Sequence, residues 1–188
     1  MTQPPLTIGC YLSRVSNVPP LLADGSPPAT TAALLARLHE LGIEVRTVEH
    51  EPVFTVAEAK RVRHELPGGH TKSLFLRDKR GAMWLVCCPE DQVVDLAQLA
   101  TKLAAKRLSF GSADRLMKFL GVIPGAVSPF SVINDRGRVV RVILDPDLLA
   151  SEPINLHPLD NAKTTAISAA GLLQFLDAEG HPPELLKV

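Results

Sequence analysis

Cysteine is scarce in this chain, and its positive and negative charges cancel. The three cysteines, Cys10, Cys87 and Cys88, form neither a C-x-x-C pair nor a disulfide framework, which favours a reducing compartment. Lys plus Arg and Asp plus Glu both number 20. A nucleic-acid partner would therefore have to contact a local basic patch, because the chain as a whole carries no excess positive charge.

Long apolar runs are absent as well. No run approaches the ~18–20 apolar residues that a membrane-spanning helix needs, and the first residues lack the basic stretch and apolar core of a secretory signal. Hydrophobic residues nevertheless make up 46% of the chain and charged residues 21%, which is enough apolar material for a sizeable core. We therefore expect a cytoplasmic protein that does not act on membranes.

The strong catalytic and cofactor motifs are also missing. The chain contains no G-x-S-x-G, Walker loop, H-E-x-x-H or Rossmann G-x-G-x-x-G motif. None of its six histidines is spaced i, i+4 with another, so we predict no metal site and no cofactor. No Ser–His–Asp or Cys–His signature supplies a nucleophile.

The hydrophobic pattern divides the chain at about residue 29. Residues 1–28 carry six prolines and little periodicity, which predicts an extended, partly mobile segment. Residues 29–188 show regular patterns and are predicted to form the single domain. The first helix is indicated by leucines at helical spacing up to Gly42, at positions Leu34, Leu35, Leu38 and Leu41.

Helical and strand patterns then alternate irregularly, with two predicted β-hairpins. The first pairs residues 72–78 with 83–88, and the second pairs 131–134 with 138–144 around Asp135-Arg136-Gly137. Capping signals at Asp95, Ser112 and Ser168 predict three helices. The fold class predicted is a single α/β domain with a curved mixed β-sheet flanked by helices.

The glycine–proline stretch Gly121–Gly125 follows the predicted helix 113–120. Glycine allows positive φ or close approach to a ligand, whereas Pro124 fixes its own φ and lacks an N–H group. We expect a stiff loop whose remaining amides could hold a carbonyl, carboxylate or phosphate. The alternative is an ordinary helix cap followed by a turn.

Two polar residues lie at predicted strand ends. Lys72 follows Gly68-Gly69, where its ammonium could bind a phosphate or carboxylate, or could simply be solvated. His157 ends an apolar strand before Pro158, with Asn161 four residues beyond the histidine. It could line a site or be satisfied by backbone groups.

Basic residues cluster at two places. A capping box at Thr55 and Glu58 predicts a short helix that carries the first cluster. Either cluster could be a solvated surface or could contact an RNA backbone. The residues are Lys60, Arg61 and Arg63 in the first cluster and Lys102, Lys106 and Arg107 in the second.

Four segments, taken in order, resemble the YbaK/ProX group of aminoacyl-tRNA editing domains. They are KSLFLRD at 72–78, GVIPG at 121–125, PFSVIND at 129–135 and NLHPLDNAKTT at 155–165. The likeness runs from about residue 29 to about residue 181 and is greatest to the free-standing deacylases that remove alanine from mischarged tRNA(Pro). It implies a single α/β domain with a mixed sheet. Ser73 is a departure, because the family often has Asn there, and it leaves the removed amino acid open.

The resemblance implies hydrolysis of the ester between an amino acid and the 3′ adenosine of tRNA. Water would attack the ester carbonyl, with the terminal ribose hydroxyl helping to activate it. The implied catalytic positions are Lys72, which would anchor the 3′ nucleotide or substrate oxygens, and the backbone from Gly121 to Gly125, which would hold the aminoacyl group. The implied substrate-binding positions are Ser73, Ile123, Pro124 and His157.

The implied partners are the acceptor end of tRNA(Pro) and prolyl-tRNA synthetase, with no role for DNA. The basic residues expected to contact the RNA are Lys60, Arg61, Arg63, Lys106 and Arg107. Three alternatives stay open: a Cys-tRNA(Pro) deacylase of the same family, a non-catalytic module that binds tRNA or a synthetase, and a thiol-dependent enzyme that uses Cys87 or Cys88.

Overall fold

A computed structural model describes residues 20–51 and 66–188. The helices in these ranges are α1 (Thr31–Glu40), α2 (Leu96–Lys102), α3 (Ala113–Leu120), α4 (Pro146–Leu149), α5 (Ala169–Ala178) and a 3-10 helix (Pro129–Asn134). The strands are β1 (Val45–Glu49), β2 (Gly69–Arg77), β3 (Met83–Pro89), β4 (Ser109–Phe110), β5 (Val140–Leu144), β6 (Ile154–Leu156), β7 (Lys163–Ile167) and β8 (Glu184–Leu185).

Side chains cap the helices where the sequence predicted caps. The Asp95 carboxylate accepts the N–H groups of Ala97 and Gln98 (2.8 and 3.2 Å), which begins α2. The hydroxyls of Ser112 and Ser168 accept N–H groups at the starts of α3 and α5, at 3.3 and 3.0 Å. Because these caps satisfy backbone donors that the helix cannot, they set where each helix begins.

In the described part of the chain, eight strands form one sheet in the order β1-β7-β6-β2-β3-β5-β8, and β4 adds to β2. Four pairs are antiparallel: β1–β7, β7–β6, β2–β3 and β2–β4. Three pairs are parallel: β6–β2, β3–β5 and β5–β8. The predicted mixed sheet flanked by helices is confirmed.

One predicted hairpin is confirmed and the other is wrong. Strands β2 and β3 pair antiparallel as predicted. The second hairpin does not form, because residues 129–134 are a 3-10 helix and β5 pairs parallel with β3. Pro129 cannot donate a ladder hydrogen bond, and the Asp135 carboxylate takes the Val140 N–H (2.7 Å) that a hairpin partner would need.

A hydrophobic core lies on each face of the sheet. The larger one packs α1, α3, α5 and the 3-10 helix on the face we call the α1 face, where the rings of Phe130 and Phe175 meet edge to face at 5.4 Å. The smaller one packs α2 on the opposite face, which we call the α2 face. Side chains alternate along β2, so Phe75 enters the larger core and Leu76 the smaller.

Residues 20–28, part of the predicted extended segment, contact the domain. Leu22 is buried, and the Ala23 N–H donates to the Lys118 carbonyl (2.7 Å) on α3. The domain boundary at residue 28 stays a prediction. In the described ranges, no helix combines the length and the apolar character that crossing a bilayer requires.

Candidate active site

The pairing of β2 with β6 brings the two singled-out polar residues to the same level of the sheet. These strands run parallel, with Gly69 opposite Ile154 and His70 opposite Asn155. Continuing that register by two residues aligns Lys72 with His157. Since residues two apart on a strand share a face, both belong to the α2 face.

The edge of β2 that pairs with β6 pairs further along with β4. Between these two pairings, from His70 to Leu76, the sheet has an opening. Strand β2 pairs with β6 at His70 and with β4 only from Leu76 onward, and no other strand among the described residues pairs with this edge between them. The Phe75 carbonyl accepts the Gly111 N–H (2.9 Å) on this edge. Because backbone groups alternate in direction along a strand, the N–H and C=O of Ser73 point into the same opening.

Lys72 is the fourth residue of β2, three residues later than its predicted position at the start of the strand. Its side chain is partly exposed, and the ammonium donates to the Gln92 carbonyl. It is paired with Cys88 of β3. The cation is therefore held on the α2 face, against the loop that follows β3.

The side chain of Ser73 points into the larger core, whereas its backbone N–H and C=O point into the opening. Its hydroxyl donates to the Cys87 sulfur (3.4 Å), whose side chain belongs to the larger core. The position at which the family often has Asn thus contacts a buried thiol on the α1 face.

His157 is held through both its ring and its backbone. Nδ1 lies 2.8 Å from the Lys163 carbonyl, and since a carbonyl only accepts, Nδ1 carries the hydrogen. The Ser128 hydroxyl donates to the His157 carbonyl (2.6 Å). These two bonds fix the orientation of the ring and the position of the backbone at His157.

A second histidine, His50, lies beside His157, and the sequence interpretation missed it. The two ring centroids are 6.2 Å apart. His50 Nδ1 donates to the Glu51 carbonyl (2.8 Å), and Nε2 forms a hydrogen bond with the Thr164 hydroxyl (2.8 Å). Only the pairing of β1 with β7, which places Val48 opposite Thr164, brings the histidines together. That pairing cannot be read from histidine spacing.

The glycine–proline loop is fixed at its first residue. Gly121 ends α3 with φ of +65°, and an ideal Cβ there would lie 2.5 Å from Asn134 Nδ2. The Asn134 amide donates to the Leu120 carbonyl (2.9 Å) and accepts the Ala29 N–H (2.7 Å). Gly125 also has positive φ, +94°. The stiff loop predicted from sequence therefore has a specific anchor in Asn134.

Only the tip of this loop is exposed. Ile123 is 49% exposed and Pro124 is exposed, whereas Val122 and Ala126 are buried in the larger core. The chain continues from Ala126 to Ser128, whose hydroxyl binds the His157 carbonyl. The loop is therefore connected to the region of His157, and its role in substrate contact stays a prediction.

The two adjacent cysteines are buried, as predicted. Burial raises the pKa of the Cys87 thiol to about 12 and that of Cys88 to about 11. Both thiols stay protonated at neutral pH, and a protonated thiol is a poor nucleophile and metal ligand. Within residues 20–51 and 66–188, no three His, Cys, Asp or Glu side chains are grouped to hold a metal ion.

One of the two basic clusters can be located. Lys106 and Arg107 are exposed, and Arg107 has φ of 137°, which is uncommon for an L-residue. No acidic residue occurs between Asp95 and Asp114. The other predicted RNA contacts, Lys60, Arg61 and Arg63, and their helix lie outside the described residues.

Comparison with known proteins agrees with this picture. The family model of the aminoacyl-tRNA editing domain matches residues 50–175. The "Prolyl-tRNA editing protein ProX" of Acetoanaerobium sticklandii is 39% identical over 150 residues, 79% of this chain and 92% of that protein. The "Multifunctional Ser/Thr-tRNA deacylase ProXp-y" of Escherichia coli strain K12 is 31% identical over 58% of this chain and 66% of that protein.

A solved structure shares the fold. A protein provisionally described as a trans-editing enzyme for prolyl tRNA synthetase superposes with a TM-score of 0.66 over 85% of this chain and 96% of that chain, at 17% identity. At that identity the likeness concerns the fold alone. The family model covers well over half of this chain, and the ProX relative is matched across nearly its whole length. This chain belongs to the aminoacyl-tRNA editing domain family.

Proposed function

We propose that this protein is a trans-editing hydrolase that removes alanine from mischarged Ala-tRNA(Pro). The observation that carries the proposal is the parallel pairing of β2 with β6, which ends with His70 opposite Asn155, two residues before Lys72 and His157 along the chain and beside an opening in the sheet. Membership of the editing family and the name of the ProX relative give the reaction class and the proline system.

The proposed reaction is ester hydrolysis by water. Water adds to the carbonyl carbon, the bond between that carbon and the ribose oxygen breaks, and the amino acid leaves as a carboxylic acid while the ribose regains its hydroxyl. As the family resemblance implies, the neighbouring ribose hydroxyl helps to activate the water. No protein side chain forms a covalent intermediate, consistent with the high thiol pKa values of Cys87 and Cys88.

The protein contributes charge and fixed hydrogen-bond donors. The Lys72 ammonium attracts the terminal phosphate or substrate oxygens. Backbone N–H groups of residues 122, 123 and 125, together with that of Ser73 in the opening, stabilise the oxyanion that forms as water adds. The Gly121 N–H is not among them, because it donates to the Met117 carbonyl (3.0 Å). His157, held by the bond from Nδ1 to the Lys163 carbonyl, forms a wall of the site.

Selectivity follows from size. A synthetase pocket built for proline cannot strongly reject the smaller alanine, because a missing methylene is worth only about 1–3 kcal/mol. A second, smaller pocket admits alanine and excludes proline. We assign its walls to Ile123, Pro124 and His157, with Ser73 at its base.

We place the RNA contact around the end of α2 and β4. Lys106 and Arg107 supply positive charge there. Phe110, 62% exposed, lies on the α2 face because it is opposite Leu76 in the β2–β4 pair. Exposed aromatic rings stack on unpaired bases, and the 3′ end of tRNA is single-stranded. A protein that acts on mischarged tRNA works where translation occurs, so we place it in the cytoplasm, with prolyl-tRNA synthetase as a further partner.

A second substrate class is supported by one observation. The E. coli relative is named a Ser/Thr-tRNA deacylase, and Ser73 here differs from the Asn common in the family. Removal of serine or cysteine is therefore the alternative activity, and a non-catalytic tRNA-binding module is the alternative without chemistry.

The deciding experiment compares deacylation of Ala-, Cys-, Ser- and Pro-tRNA(Pro) under single-turnover conditions. We expect the alanyl ester to be cleaved fastest and the prolyl ester to survive. The same assay is repeated with Lys72→Ala, which removes the proposed anchoring charge. Lys79→Ala, which changes an exposed lysine in the β2–β3 turn, is the matched control for that variant. Equal rates with and without protein on all four substrates would refute the proposed function.

A further inference from the structure

The buried carboxylate of Asp145 binds the last two residues, Lys187 and Val188. Asp145 is fully buried, and its Oδ2 accepts the Val188 N–H (2.8 Å). Its Oδ1 accepts the Asp147 N–H (2.9 Å) and faces the Lys187 ammonium (3.4 Å). A buried carboxylate is costly unless such partners satisfy it. The position of residues 187–188 is thus fixed by the interior of the domain.

Further contacts hold the same residues against the α2 face. Strand β8 pairs parallel with β5, and the Leu186 N–H donates to the Leu144 carbonyl (3.0 Å). The side chains of Leu186 and Val188 pack on the smaller core. The Lys102 ammonium of α2 donates to the Lys187 carbonyl (2.7 Å). These contacts form a clasp, defined as residues 186–188, across the smaller core.

The clasp is linked to Lys72 through one residue. The Gln92 side-chain amide donates to the main-chain oxygen of Val188 (2.8 Å), and the Gln92 carbonyl accepts from the Lys72 ammonium. The neighbouring Glu90 N–H donates to the His70 carbonyl (2.9 Å). The loop after β3 is therefore attached to β2 at one point and to the clasp at another.

We propose that Gln92 and the clasp position the Lys72 ammonium. The bonds from Asp145 to Val188 and from Val188 to Gln92 fix the carbonyl to which the lysine donates, and so hold the ammonium in one place on the α2 face. Gln92 is a positioning residue that acts through Lys72. The expected effect on the deacylation rate rests on the proposed function. The expected effect on the position of the Lys72 ammonium does not.

The test removes the side-chain donor of Gln92 and keeps its carbonyl and its volume. Gln92→Met fills the same space but cannot bond Val188. We expect kcat for the deacylation to fall about two- to tenfold, the effect of losing one neutral hydrogen bond, with little change in KM. Glu184→Ala is the control, because it breaks the ion pair with Arg141 (2.8 Å) beside the clasp without touching Gln92.

A second readout does not depend on activity. In protein labelled with ¹⁵N-lysine, the Lys72 ammonium signal is assigned by its loss in Lys72→Arg. We expect slow proton exchange at this signal in the unmodified protein and faster exchange in Gln92→Met and in a chain ending at Lys187. Unchanged exchange in both variants would overturn the proposal. If no aminoacyl-tRNA is cleaved at all, the proposed function fails, and the exchange rates still decide whether Gln92 positions the lysine.

Discussion

Replacing Gly121 by alanine should destabilise the protein in two ways that can be separated. The residue has φ of +65°, and holding a non-glycine residue in this region costs about 1–2 kcal/mol. The added Cβ would also lie 2.5 Å from Asn134 Nδ2. Moving that amide breaks its bonds to Leu120 and Ala29, and each buried group left unpaired costs about 1–3 kcal/mol. We expect a total loss of about 3–8 kcal/mol.

Gly42→Ala is the matched control. Gly42 also follows a helix, has φ of +69°, and has no atom within 4 Å of the added Cβ, so it should lose only the backbone part, about 1–2 kcal/mol. Urea unfolding can be followed by the fluorescence of Trp84, the single tryptophan, which is buried. In an Asn134→Ala background, Gly121→Ala should cost no more than Gly42→Ala. Equal costs for the two glycine variants in the unmodified background would refute the clash with Asn134.

Three other predictions concern the proposed chemistry. Lys72→Ala should lower single-turnover deacylation about a hundredfold without altering circular dichroism, since it removes a charge that stabilises the reacting oxygens; a near-normal rate would move the active site elsewhere. Cys87→Ser and Cys88→Ser should retain turnover, and in a Cys10→Ser background a thiol reagent at pH 8 should label neither Cys87 nor Cys88 in the folded protein. Burial raises the pKa of the Cys87 thiol to about 12 and that of Cys88 to about 11, above the ordinary value of a thiol, so their contribution to stability is fully present at neutral pH and is lost as pH rises through these folded values. Changing Lys106 and Arg107 together to alanine should weaken tRNA binding and reduce its salt slope by about 1.5 to 2, and an unchanged slope would make them solvated charges.

Local signals in the sequence predicted the elements that local chemistry controls. The last helix spans Ala169–Ala178 as predicted, because Ser168 caps its start and Gly180 follows its end. The helix 113–120 and the β2–β3 hairpin also follow from short-range patterns. In each case the deciding contacts lie within a few residues of one another, so a short window of sequence contains them.

Long-range pairing is what the sequence could not supply. The run 131–134 resembles a strand in sequence, but it belongs to a 3-10 helix that starts at Pro129, in which Ser131, Val132 and Asn134 are buried. Strand β5 pairs parallel with β3, which lies far from it in the sequence. A parallel partner leaves no turn signature, since its connection is long and variable. The sequence also could not predict that His50 lies beside His157, because this contact depends on the long-range pairing of β1 with β7.

The way the site is built explains why its residues could be named before their arrangement was known. Lys72 and Ser73 belong to a strand whose neighbour changes from β6 to β4, so the opening results from sheet topology and not from a special local sequence. The backbone of Ser73 faces this opening, while its side chain contacts Cys87 in the core. The groups assigned to the ester are thus mainly backbone groups and one lysine, which the fold positions. The side chains at the loop tip, Ile123 and Pro124, are exposed and are not part of the hydrophobic core. We therefore expect substitutions at that tip to alter which amino acid is accepted, while the groups assigned to the ester in the proposed function stay in place.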